Sequence, residues 1–142
     1  MVSPGTIRIY LFLVLFQIGH SIEEYLAGFP GQFDNITRLI HRFFPFLPVF
    51  SISDRFFIFF NSTLWVVLLS FYLYARRGGR NAGRIILIVA IIELTNGILH
   101  LFMSLKVWPY FPGAVSAIGL LITSLLLISR RRILLNETKY FN

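Results

Sequence analysis

Residues 85–105 have the sequence IILIVAIIELTNGILHLFMSL, and this segment indicates the fold class. As a helix it is long enough to cross the roughly 30 Å hydrocarbon core of a bilayer, which takes about 20 residues. Three strongly polar side chains interrupt it, Glu93, Asn96 and His100, at spacings that place all of them on one helix face. The segment therefore predicts a transmembrane helix whose polar face is turned toward other helices.

The rest of the chain follows the same pattern. Of its 142 residues 56% are hydrophobic, 13% are charged and none is cysteine, and the mean hydropathy is +0.75. That is more apolar surface than one small water-soluble core can bury. Further apolar segments lie at about 7–28, 56–75 and 113–129. We therefore predict one all-α membrane domain over residues 1–142, an integral membrane four-helix bundle, with a short interfacial helix at 36–44 in the first non-cytoplasmic loop.

The placement of the charges predicts the orientation of this bundle. One side receives nine cations: Arg8, Arg76, Arg77, Arg80, Arg84, Arg130, Arg131, Arg132 and Lys139. The other side receives four: Arg38, Arg42, Arg55 and Lys106. Because the side richer in Lys and Arg faces the cytoplasm, both termini are predicted to be cytoplasmic. The net charge of +7 thus reflects membrane topology, and we predict no nucleic-acid partner.

The first span also carries a polar group, made of His20, Glu23 and Glu24. His20 and Glu24 are one helical turn apart, and Glu23 lies beside them. At about 1.5 Å of rise per residue, His20 and His100 both lie roughly 20–23 Å from the cytoplasmic end, and Glu93 lies roughly 12 Å from it. The polar faces of the first and third spans are therefore expected to meet in the outer half of the bundle.

These side chains predict a chemical site. A charge near the bilayer centre costs roughly 2.5–3.5 kcal/mol on insertion scales, so the group has to pair internally, take up protons or bind an ion. Neither polar face contains Lys or Arg, and nitrogen and oxygen ligands suit zinc, iron or manganese. The candidate metal ligands are His20, Glu23, Glu24, Glu93 and His100. The candidate catalytic residues are His20, Glu24, Glu93, Asn96 and His100.

Two motifs carry a family resemblance. His20-Ser21-Ile22-Glu23-Glu24, followed by Asn96-Gly97-Ile98-Leu99-His100, resembles the HXXEE-domain family of small membrane proteins. The likeness extends over about 17–117 and includes the sequence YFPG at 110–113. The resemblance implies that the two polar groups belong to one site. It supplies no reaction, because the family is uncharacterised in activity.

Three functions fit the sequence. The first is a membrane-embedded enzyme acting on a lipid or other apolar molecule, either as a metal-dependent hydrolase or oxygenase or through a buried Glu that transfers a proton in hydrolysis, isomerisation or cyclisation. The second is a small proton- or cation-coupled transporter. The third is a structural subunit in which the polar group holds helices together. An oligomer of this chain is also compatible with the sequence. The enzyme is the preferred prediction, with membrane lipids and an apolar substrate as its partners.

Overall fold

The computed structural model describes residues 2–106 and 110–136, which form helices and no strand. The helices are α1 (Pro4–Leu26), α2 (Phe29–Phe43), α3 (Asp54–Arg76), α4 (Ala82–Lys106), α5 (Ala114–Ser129) and α6 (Arg131–Asn136). The prediction of an all-α protein is confirmed.

Three of these helices, α1, α3 and α4, are long and apolar enough to cross a membrane, and α5 is a shorter apolar helix. These helices cover the four predicted apolar segments, with ends that differ by a few residues. Helix α5 packs against α4 and α1, and α1 also packs against α3. The packed core lies where α1, α3 and α4 meet and includes the buried Tyr10, Leu13, Leu68 and Ile86. These features indicate a helical membrane protein.

Arginine-rich ends of the helices gather at one end of the bundle, which we call the basic end. Arg8 near the start of α1 and Arg76 at the end of α3 line the same depression. Arg130, at the end of α5, donates a hydrogen bond to Thr6 of α1 over 3.3 Å. Along the chain, helices α1, α3, α4 and α5 therefore alternate in direction, so that α1 and α4 both begin at the basic end. Lys139, which that count included, lies outside the described residues.

Helix α2 begins earlier than the predicted interfacial helix at 36–44. Gly28 adopts the left-handed conformation, with φ of 75°, and lets the chain turn directly from α1 into a new helix. Pro30 is tolerated in the first turn of that helix, where its missing N–H leaves no hydrogen bond unmade. After α2 the chain folds back, and the backbone N–H of Phe50 donates to the Thr37 hydroxyl over 3.3 Å. This segment covers the end of the bundle opposite the basic end.

Candidate metal centre

Three buried side chains converge between α1 and α4. The Oε1 atom of Glu24 lies 3.2 Å from Nε2 of His100 and 3.7 Å from Nε2 of His20. The two imidazole rings meet edge to face, with centroids 4.4 Å apart. One ligand atom from each residue lies within 4.8 Å of the other two. We call these three residues, His20, Glu24 and His100, the triad.

The hydrogen bond of His100 determines which of its ring nitrogens carries the proton. Its Nδ1 lies 2.8 Å from the carbonyl oxygen of Pro112. A carbonyl oxygen only accepts hydrogen bonds, so Nδ1 of His100 is the donor and carries hydrogen. In the neutral ring, Nε2 is then left with a lone pair directed at Glu24.

His20 is fixed in the same way through Ser116, on the first turn of α5. The Ser116 hydroxyl lies 2.5 Å from Oε2 of Glu23, to which it donates its one proton. It therefore accepts from Nδ1 of His20, which lies 3.0 Å away. Nε2 of His20 is buried without a hydrogen-bond partner and carries a lone pair toward the triad. Such outer hydrogen bonds typically orient histidines that bind metals.

Glu23, expected among the ligands, lies outside the triad. Successive helical residues point about 100° apart, so Glu23 and Glu24 face different neighbours. The Glu23 carboxylate accepts from the backbone N–H groups of Val115 over 3.1 Å and Ser116 over 2.9 Å, where the α5 dipole favours negative charge. Tyr110 donates a further hydrogen bond to it. Burial and this contact raise the pKa of Tyr110 to about 12, so its hydroxyl remains a donor at neutral pH.

The close approach of α5 to the triad requires glycine at position 113. Gly113 caps α5 in the left-handed conformation, with φ of 86°. A Cβ atom at this position would lie 2.5 Å from Cε1 of His20 and 2.9 Å from Nδ1 of His100. Sequence reasoning did not identify Pro112, Gly113 or Ser116 as site residues. The sequence had signalled this segment through the YFPG sequence at 110–113, which fell within the family resemblance.

Glu93 and Asn96, also predicted site residues, lie beyond the triad along α4. The Nδ2 atom of Asn96 lies 3.4 Å from Oε2 of the buried Glu93. Both residues line a cavity, and Glu24 and His100 are part of the same cavity wall. Glu93 is thus placed to face a bound molecule and stands outside the three-ligand group.

That cavity, which we call the cleft, has a volume of about 740 Å³. It lies between α3 and α4 and extends under α2, and most of its wall is aromatic or aliphatic. Phenylalanines from three parts of the chain contribute to it: Phe29, Phe33, Phe50, Phe56, Phe57 and Phe60. A mostly apolar cavity with a few convergent polar groups is the usual form of a small-molecule site.

The segment of the chain that builds the triad and the cleft matches the model of one protein family. The family described as "Protein of unknown function with HXXEE motif" matches residues 10–128. The chain belongs to the HXXEE family. No curated protein and no solved structure matches it. In this HXXEE protein the His and the second Glu of the motif enter the triad, whereas the first Glu binds the start of α5.

The triad has the composition of a metal site with free coordination positions. Two histidine nitrogens and one carboxylate are the protein ligands of several catalytic zinc sites and of the facial triads that bind iron. The cleft borders the triad at Glu24 and His100. A molecule in the cleft therefore has access to any position that the three side chains leave free.

Proposed function

We propose that this HXXEE protein is a membrane-embedded enzyme that holds a divalent metal at His20, Glu24 and His100 and acts on a lipid or other apolar molecule. The observation that carries the proposal is the orientation of the two imidazoles. Both Nδ1 atoms are engaged as donors, and both Nε2 atoms face the same carboxylate.

The charges in the triad favour a cation. Two nitrogen lone pairs beside a carboxylate repel one another unless a proton or a metal ion lies between them. A divalent ion accepts electron pairs from all three atoms at once and offsets the negative charge of Glu24, which is unfavourable to bury unpaired. Zinc, iron and manganese are among the metals that accept this ligand set. The unpartnered Nε2 of His20 argues against a purely structural network, in which buried polar atoms normally find partners.

The remaining polar residues have roles in the proposed reaction. A metal in the triad would activate water or oxygen, or polarise a carbonyl group of the substrate. Glu93 faces the cleft and is proposed to donate or remove a proton, and Asn96 orients its carboxyl group. In the membrane we propose four spans, α1, α3, α4 and α5, with the basic end in the cytoplasm and the triad in the outer half.

The test is the metal content of protein purified in mild detergent without a chelating resin. We expect about one zinc, iron or manganese ion per chain in the wild type, and loss of this metal in the double variant His20→Ala/His100→Ala. The matched control is His41→Ala, because His41 lies near the end of α2 and binds the Leu47 carbonyl through Nδ1. A folded wild-type protein without metal, or metal retained by the double variant, would contradict the proposal.

A further inference from the structure

The segment that joins α2 to α3 begins with an exposed apolar loop. Residues 44–50, FPFLPVF, contain no polar side chain, and we call them the hydrophobic loop. All of its side chains are exposed, and Phe46 is the extreme case at 81%. A contiguous exposed apolar surface of this kind marks a contact with a membrane or with another protein. The loop therefore has an apolar partner that the described residues do not supply.

The backbone of the hydrophobic loop is suited to surroundings without water. Two of its residues are prolines, which have no N–H group to satisfy. The N–H groups of Phe44 and Leu47 donate to the carbonyls of Ile40 and Phe44 over 2.9 and 3.0 Å. The Leu47 carbonyl in turn accepts from Nδ1 of His41 over 2.6 Å. A protein partner can supply hydrogen bonds to a loop, whereas lipid chains cannot, so these internal bonds favour a lipid partner.

Aromatic contacts place the loop near the end turns of the long apolar helices. Phe29, at the start of α2, lies against Phe57 of α3 and His100 of α4, with ring centroids 6.0 and 5.9 Å apart. Phe33, one turn later, packs against Phe50 of the loop with centroids 5.3 Å apart. Phe50 and Phe57 also line the same cleft. The loop is therefore anchored close to the depth at which α3 begins.

The charged side chains of α2 lie on the side of the helix away from these aromatic contacts. Arg38 and Arg42 are exposed and one turn apart, and Nε of Arg38 lies 3.7 Å from the Asp34 carboxylate. The rotation of about 100° per residue places Phe29 and Phe33 on the opposite side. A helix with one apolar and one basic face typically lies at the membrane surface. Arginine forks match phosphate groups, so this face fits the layer of lipid head groups.

We propose that the hydrophobic loop inserts into the acyl chains of the membrane leaflet at the end opposite the basic end, with Arg38 and Arg42 at the head-group phosphates. Phe50 belongs both to the exposed loop and to the cleft wall, so the inserted loop joins the cleft to the lipid of that leaflet. The inference goes beyond the proposed function, because it needs no metal and no reaction.

The experiment measures the surroundings of single spin labels on the full-length protein in bilayers of phosphatidylcholine and phosphatidylglycerol. The chain has no cysteine, so each variant carries one nitroxide at one chosen position. Collisions with oxygen report lipid, and collisions with a water-soluble nickel chelate report water. The test position is Phe46→Cys. Val66→Cys, on the exposed side of α3, is the lipid reference, and Asn35→Cys, on the exposed side of α2, is the water reference.

We expect the ratio of oxygen to nickel collisions at position 46 to be close to that at position 66. It should exceed the ratio at position 35 by about tenfold or more, because a polar chelate is excluded from hydrocarbon. Val49→Cys is a second position in the same loop and should give the same result, whether or not the label at position 46 disturbs folding.

Two results would overturn the inference. A ratio in the loop equal to that at position 35 would place the loop in water. Labels in the loop that are shielded from both reagents would mean that protein, such as a second copy of this chain, covers it. Because no outcome depends on metal, failure of the metal centre and failure of this inference are measured separately.

Discussion

The two sides of α4 differ in how closely they are packed. Toward α5 the helices nearly touch, since a Cβ atom at Gly97 would lie 3.1 Å from the Ala117 carbonyl oxygen. Toward α3 the helices separate and leave the cleft. His100 borders both sides, through its bond to Pro112 and its place in the cleft wall. A site that fixes ligand atoms to a fraction of an ångström needs the packed side, and a site that admits a flexible chain needs the open one.

The largest expected effect comes from breaking the packed side at Gly113. The variant Gly113→Ala combines left-handed backbone strain with a clash against His20 and His100, and should lower the free energy of unfolding by about 2–5 kcal/mol and abolish metal binding. Gly28→Ala is the control, because Gly28 has the same backbone conformation, with φ of 75°, and open space around its Cβ position. It should cost about 1–2 kcal/mol and keep the metal. Thermal unfolding and metal analysis measure both effects, and equal metal loss in the two variants would contradict the role of Gly113.

The next largest effect is the difference in metal affinity between variants of the two adjacent glutamates of the motif. Glu24→Gln removes a proposed ligand and should abolish metal binding. Glu23→Gln leaves the three triad residues in place but weakens the hydrogen bond from Ser116 to residue 23, and with it the hydrogen bond that orients His20. Metal affinity should therefore fall by about 10–100-fold. Competition with a chelator of known affinity measures this difference. The opposite order, with Glu23→Gln the more damaging variant for metal affinity, would show that Glu23 is the ligand.

The open side is tested by filling the cleft. Leu99→Trp adds bulk at the edge of the cleft and should reduce photolabelling of the protein by a long-chain lipid probe that carries a diazirine by about tenfold or more, while metal content stays unchanged. Ile98→Trp is the matched control on the same helix, because Ile98 is exposed to a similar degree, 52%, and lies outside the cleft lining. Loss of metal in Leu99→Trp, or equal loss of labelling in both variants, would show that the two sides are not separable.

The smallest effect is expected at Tyr110. Tyr110→Phe removes one of the hydrogen bonds to Glu23 and should weaken metal binding by less than about tenfold. Because the pKa of Tyr110 is raised to about 12, its contribution is fully present below about pH 10, the ordinary tyrosine value, and is lost as the pH rises toward 12. The ratio of wild-type to variant affinity should therefore stay constant from about pH 6 to 9. A ratio that changes across that range would contradict the assigned protonation.

The helices, and the meeting of His20 with His100, could be predicted from the sequence for simple physical reasons. Long apolar runs define the helices, and the equal depths of His20 and His100 predicted that the two polar faces would meet, as the structure now describes. The start of α2 was missed, because only a left-handed Gly28 allows a helix to follow α1 so directly.

Other features depend on packing that the sequence does not reveal. The contact between Ser116 and His20 joins residues far apart in the chain, and no helical periodicity predicts it. The separate direction of Glu23 follows from where α5 begins. The cleft depends on the spacing between α3 and α4, which apolar periodicity alone does not set.

We propose that His20, Glu24 and His100 bind one metal ion together. X-ray absorption spectroscopy of the metal-loaded protein is the measurement of choice, because scattering from imidazole rings reports how many histidines bind the metal. We expect two imidazoles and at least one oxygen ligand in the wild type, and one imidazole in His100→Ala. A wild-type spectrum without imidazole scattering, or a spectrum unchanged in His100→Ala, would contradict it.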